Sequence, residues 1–238
     1  MWLRYTSTGY LVILPEDDPG RIIDAMLETG YNEEFCISPD FDSGFIARLM
    51  EAGFLVMSAG FKDEETGGKN YILFPKLHIT RSALFFENLH IKKSIKRYLN
   101  RYELRADSDF HTIVDRCVEI HGDEWLTVPL INVVKFIREK ARDNDSFGVR
   151  PVSFALYRDG KLVAGEFGIQ AGRVYTSYSG YYEESNAGTV QLILTTRYLQ
   201  EHGYAFFDLG MPLDYKNELG AKNITPEEFV KHFRTAQC

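Results

Sequence analysis

The sequence is short of metal-binding and disulfide-forming patterns. It has three cysteines in 238 residues, Cys36, Cys117 and Cys238, far apart and with no C-x-x-C, so a disulfide framework or a zinc site has no ligand set. Buried, incidental thiols are the expectation. No stretch approaches the roughly 18 uninterrupted apolar residues of a membrane span. The start, Met1-Trp2-Leu3-Arg4-Tyr5, lacks the basic and apolar regions of a signal peptide, so a cytoplasmic protein that meets no membrane is expected. Walker, H-E-x-x-H and G-x-S-x-G motifs are absent too, which removes support for phosphate-loop, zincin and hydrolase chemistry. Positive charge is in deficit. At a formal net charge of −7 the chain is a poor general binder of nucleic acid, and any RNA contact must be local.

One segment suits such a contact. Between Leu89 and Arg105, the six cations Lys92, Lys93, Lys96, Arg97, Arg101 and Arg105 face only Glu103, making the segment +5 and the remainder −12. His90, Tyr98 and Tyr102 interleave with them. Clustered Lys/Arg with aromatics is the footprint of a phosphate-contacting surface; a solvated helix face is the plainer alternative.

A 45 % hydrophobic fraction supports a sizeable core, in one large domain or two small ones. Tyr10 to Leu14 reads as a strand. Asp18 and Pro19 open a helix that lasts until Gly30, and a second runs from Phe41 to Ala52 with Gly53 beyond it. Phe54 to Met57 and Tyr71 to Phe74 read as strands. The triplet LHI at 77–79 and 89–91 is too short-spaced for a repeat. A helix follows over Ile91 to Arg101, a strand over Tyr102 to Ala106, a helix to His121, and another from Pro129 to near Asn144. Val152–Tyr157, Leu162–Ile169 and Val174–Tyr182, punctuated by Asp159-Gly160 and Ala171-Gly172, predict a three-strand meander. Helix Ala187–Glu201, strand Tyr204–Leu209 and a helix opening at Thr225-Pro226 complete the chain. The order helix, helix, meander, helix, strand is that of the GNAT-type acyltransferase fold. The expectation is therefore an α+β protein, with a small N-terminal α+β domain over 1–88 and a GNAT-like domain over 89–238.

Six motifs in this half fall in one family's order. They are LHIKKSIKR at 89–97, Trp125-Leu126-Thr127, KLVAGEFG at 161–168, Asn186-Ala187, FFDLG at 206–210 and LGAKNITPEEF at 219–229. Together they resemble the leucyl/phenylalanyl-tRNA–protein transferase family; residues 1–88 match only in Ser38-Pro39-Asp40. The resemblance implies an aminoacyltransferase that binds aminoacyl-tRNA and moves the amino acid to the N-terminal amine of a protein, marking it for degradation. It implies a monomer and no cofactor beyond the co-substrate. Ser185-Asn186-Ala187-Gly188-Thr189 in place of a pyrophosphate loop agrees with a donor other than acetyl-CoA.

An aminoacyl ester is already activated, so the chemistry needs only a positioned neutral amine and a proton acceptor. The family's catalytic Asp matches Asp208; a strand-end Asp bonded to a turn is the structural alternative. The resemblance places Glu166, Tyr178, Ser179 and Gly210 around the aminoacyl group. It places Trp125 near the terminal adenosine, where core packing is the alternative, and Lys92, Lys93, Lys96, Arg97 and Arg101 on tRNA. Three positions depart from the family. Gly210 replaces a Gln thought to contact the amine, Tyr178 replaces a Glu, and Glu166 replaces the apolar residue, usually Met, that lines the side-chain pocket. Glu166 pairs with a protein cation, or faces solvent, or receives a cationic donor such as arginine or lysine. A non-catalytic tRNA- or peptide-binding relic and another GNAT-type N-acyltransferase remain as alternative functions.

Overall fold

The computed structural model describes residues 3–31, 33–64, 67–142 and 147–237. Its elements are, in chain order, β1 (Arg4–Tyr5), β2 (Leu11–Val12), α1 (Pro19–Thr29), α2 (Ser43–Ala52), β3 (Leu55–Lys62), β4 (Lys69–Lys76), β5 (Arg81–Leu84), α3 (Lys93–Lys96), β6 (Glu103–Ala106), α4 (Phe110–His121), α5 (Val128–Arg142), β7 (Val149–Arg158), β8 (Lys161–Ala171), β9 (Val174–Tyr182), α6 (Ala187–Glu201), β10 (Phe206–Asp208), α7 (Asp214–Glu218), β11 (Lys222–Ile224) and α8 (Pro226–Thr235). The fold is mixed α+β. No helix among the described residues is long and apolar enough to cross a membrane. Two compact units emerge, Met1–Ile79 with Gly122–Val149 and Thr80–His121 with Arg150–Cys238. This division differs from a single boundary after residue 88: residues 80–88 go with the second unit, and 122–149 return to the first.

In the first unit the cap signals act as chemistry dictates. Asp18 accepts the Gly20 and Arg21 amides ahead of α1, and Gly30 ends the helix at φ +62°. Asp42 accepts the Phe45 amide ahead of α2. β3 and β4 form an antiparallel hairpin, and its Ser58 bonds Thr127 at 2.8 Å. Cys36 is free and buried, and burial pushes its thiol up to about 12. The end expected near Asn144 for α5 lies outside the described residues, as does Cys238.

The second unit is built on a seven-stranded sheet of order β11-β5-β10-β9-β8-β7-β6. The meander forms as expected, with Asp159 and Gly160 at φ +52° and +78° in the β7–β8 turn. The helix expected over Ile91 to Arg101 is broken into the single turn α3 and a 3-10 turn at Leu99–Arg101. Ile91, Ile95 and Tyr98 still pack on the core around Leu156, Val190 and Ile193, which turns the lysines outward. β5 and β11 are strands that no local signal marks. They pair antiparallel with each other, and β5 pairs antiparallel with β10.

Side chains alternate across the sheet. Phe154, Tyr175 and Phe207 meet Leu199 of α6 on one face. On the other, Phe167 meets Phe110 of α4, and Phe206 meets Phe229 of α8. Phe154 is fully buried between the edges of Tyr175 and Tyr198. Phe154→Ala is expected to cost about 3–5 kcal/mol, measured as a lower urea midpoint at unchanged slope.

Candidate active site

β9 and β10 run parallel, but their pairing stops at Asp208 opposite Thr176. β9 continues to Tyr182, so from Ser177 onward its edge away from β8 has no strand beside it among the described residues. This fork, a bulge and two buried charged clusters define the site.

The bulge lies where Phe167 pairs with Ser179 and Gly168 with Ser177, leaving Tyr178 unmatched. Only glycine fits at 168, since a Cβ there would stand 2.1 Å from the Thr176 carbonyl oxygen. The bulge sorts the expected pocket residues onto two faces. Tyr178 packs by Phe167 on the α4 side, and Ser179 meets the Cys117 thiol of α4. Glu166 points the other way, toward α6. Cys117 itself is free, and burial pushes its thiol up to about 12.

Glu166 is 2 % exposed. The Ser177 hydroxyl donates to its Oε2 at 3.1 Å, and Gln191, which donates to Thr195 at 3.1 Å, lies beside it with Thr195. Its Oε1 has no hydrogen-bond partner, and no cation among the described residues reaches ion-pair distance. Burial drives the carboxyl up to about 7, while Ser177, Gln191, Thr195 and the charge of Lys216 hold it from going higher. Neither the solvent-facing nor the protein-paired alternative describes it.

Asp208, fully buried, is saturated with donors. Arg81 Nε and Nη2 donate to it at 2.8 and 2.5 Å, Thr176 Oγ1 at 2.8 Å and the Gly210 amide at 3.0 Å. The Arg81 guanidinium also lies over the Phe229 ring at 4.3 Å, with Nη1 left unpartnered. Burial raises the Asp208 carboxyl, but Arg81 and the other donors outweigh it and hold the group below its ordinary value. Asp208, the catalytic carboxylate that the resemblance implies, thus has all its acceptor sites engaged within the protein. Its lone pairs are spent, and it is a poor base. What the arrangement can do is fix Gly210, at φ +70°, and the mouth of the fork. Lys216 completes the site from α7, its Nζ donating to the Leu209 and Met211 carbonyls at 2.6 and 2.8 Å. Arg81, Thr176, Ser177, Gln191 and Thr195 carried no sequence signal beyond polar residues in apolar runs, and Lys216, in the polar stretch Asp214–Glu218, carried none.

The expected RNA-contacting cations are all exposed. Lys92 is bridged to Glu218 at 2.7 Å, and Arg97 and Arg101 both lie over the Tyr98 ring, at 5.0 and 5.1 Å. Trp125 belongs to the first unit, half-buried, with its carbonyl accepting the Ser58 amide at 2.9 Å. No group of three potential metal ligands occurs among the described residues.

The Asp208 carboxyl contributes stability that is complete above the unfolded value of about 3.9 and lost as pH falls through the lower folded value. Arg81→Met leaves burial to dominate and raises the carboxyl instead. The variant should lose about 3–5 kcal/mol at pH 7 and regain part of it on acidification toward about pH 5. Denaturant melts at both pH values check the sign.

Sequence comparison gives a match over residues 83–234 to the profile of a family described as leucyl/phenylalanyl-tRNA protein transferase. A curated relative of that name from Pseudomonas putida (strain W619) is 27 % identical over 157 residues, covering 64 % of this chain and 66 % of the relative. One from Pseudomonas entomophila (strain L48) is 26 % identical over 157 residues, again covering 64 % and 66 %. The chain thus spans just under two thirds of the length of these relatives. Among solved structures, FemX superposes at a TM-score of 0.46 and 10 % identity, over 94 % of this chain and 81 % of FemX.

Proposed function

Because the chain belongs to the leucyl/phenylalanyl-tRNA–protein transferase family, we propose that it transfers an amino acid from charged tRNA to the N-terminal amine of a protein, in the cytoplasm, marking that protein for degradation. The observation that carries this reading is the match over residues 83–234, which contains the whole fork with Asp208 and Glu166. The meander, the parallel β9–β10 pair and its opening after Thr176 favour a GNAT-type core. The aminoacyl ester brings its own activation, so the reaction as proposed calls on no metal or redox cofactor. Asp208 serves as a positioning residue for the Gly210 turn.

The donor is cationic in this reading, arginine or lysine in place of the leucine or phenylalanine of the family name. A buried carboxylate with an unfilled oxygen penalises an apolar side chain and rewards a guanidinium or ammonium. Purified protein should transfer from arginyl- or lysyl-tRNA to a peptide N-terminus, and Glu166→Gln should lower that preference at least tenfold. Below about pH 7 protonation of Glu166 weakens it as well. Efficient leucine transfer without arginine or lysine would reject the donor and leave the transferase. A non-catalytic relic, suggested by Gly210 and Tyr178, would transfer nothing.

tRNA contact is assigned to the exposed cations of 92–101, chiefly Lys93, Lys96, Arg97 and Arg101, since Lys92 is bridged. Replacing those four by Gln should weaken tRNA binding and reduce the log–log salt slope by about one for each phosphate no longer neutralised. An unchanged slope would remove the patch.

A further inference from the structure

The second unit holds a buried amine for which the reading above has no use. Lys216 lies in a five-residue helix and is 8 % exposed. Its Nζ is anchored by the carbonyls of Leu209 and Met211, the two residues that flank Gly210. It therefore stands at the mouth of the fork, beside the one position where the family pattern calls for a long polar side chain and this chain has none. The charged and titratable groups around it are Asp208 from β10, Glu166 from β8, Arg81 from β5 and the Tyr215 ring, 5.8 Å away. Neither carboxylate is within ion-pair distance. Burial is the largest influence on the amine and brings it down to about 8, with Asp208 and Glu166 opposing and Arg81 assisting.

Two carbonyl anchors have a specific consequence for an amine. Neutral –NH2 has two hydrogens and one lone pair. Both hydrogens are used on Leu209 and Met211, so the lone pair occupies the remaining direction. When the group is –NH3+, the third N–H takes that direction and the anchors are unchanged. One proton can thus be taken up and returned at a single place without repacking. Asp208 lacks this capacity, because its oxygens already accept four hydrogen bonds.

We propose that Lys216 is the proton carrier of the acyl transfer, a role that rests on the transferase reading. The acceptor's neutral amine attacks the ester carbon, forming the C–N bond while the carbonyl π pair moves to oxygen. The resulting ammonium passes a proton to the Lys216 lone pair. As the carbonyl re-forms, the bond to the ribose oxygen breaks, and that oxygen leaves with its electron pair and takes the proton from Lys216. Amide and free ribose hydroxyl result, and Lys216 is neutral again.

The test is the pH dependence of kcat/KM for transfer to one fixed peptide. The peptide's own α-amine titrates near about 8, so only what moves with residue 216 decides. Lys216→Met should lose about 10²–10⁴-fold. Lys216→Arg should be equally impaired, because arginine keeps the charge and the carbonyl contacts but does not release a proton. Lys216→Cys in a Cys238→Ser background, alkylated with 2-bromoethylamine, restores a less basic amine; Cys36 and Cys117, at 0 % and 1 % exposure against 8 % at position 216, are the more sheltered thiols, and peptide mass mapping places the added group. That protein should regain activity with its ascending limb moved to lower pH. An active Lys216→Arg, or an aminoethylated protein with the wild-type limb, would overturn the proposal and leave Lys216 a clamp on the loop. If the wild-type protein transfers nothing from any charged tRNA, the transferase reading fails first and takes this one with it.

Discussion

The buried Arg81–Asp208 pair is the constraint on which the second unit depends. It joins β5 to β10, takes in Thr176 from β9, and holds the Gly210 amide. Exchanged for well-packed apolar residues, such a pair is often neutral in stability, yet losing one partner is costly. Its contribution is therefore one of specification. β5 and β10 are short, four and three residues, and β11 has three. Strands of that length carry little register information of their own. A guanidinium that must meet a carboxylate bidentately, with its face on Phe229, admits one register. The fork inherits its position from that choice.

Once the register is set, the sheet keeps two kinds of carboxylate apart. Thr176 and Ser177 are adjacent, so their side chains leave β9 on opposite faces. One serves Asp208 beneath α8 and the other serves Glu166 beneath α6. Asp208 has every donor it can accept and is held ionised, whereas Glu166 keeps its Oε1 unfilled and is pushed by burial toward neutrality. Equal burial with unequal satisfaction thus sets the two carboxyls apart, one with all its acceptor sites filled and one with an oxygen unfilled.

Local chemistry explains which parts of this were legible in the sequence. The caps at Asp18 and Asp42, the Asp159-Gly160 turn and the alternation through the meander are short-range signals, and the corresponding elements form. β5 escaped because Arg81 is charged and its partners lie more than 120 residues away. Only the pairing with Asp208 makes an arginine acceptable in a buried strand. The helix expected over 91–101 followed a sound apolar spacing, Ile91, Ile95, Tyr98, but that face packs through one helical turn and one 3-10 turn. The candidate pocket residues are divided between two faces for a different reason. A bulge at Tyr178 shifts the period-two pattern, so Tyr178 and Ser179 leave the face that Glu166 occupies.

Two of the departures from the family pattern, Gly210 and Glu166, are easier to understand together than singly. With Gly at 210 the turn reaches φ +70° without the strain a side chain would bring, and the carbonyls on either side are free to take the Lys216 amine. That amine is near enough to Glu166 to lower its carboxyl, though too far to pair with it. A methionine at 166 would sit among Ser177, Gln191 and Thr195, leaving their polar groups to one another; a glutamate gives them an acceptor and still retains an unfilled oxygen. The Gly210 turn, the buried Lys216 amine and the acidic Glu166 site are thus parts of one polar arrangement.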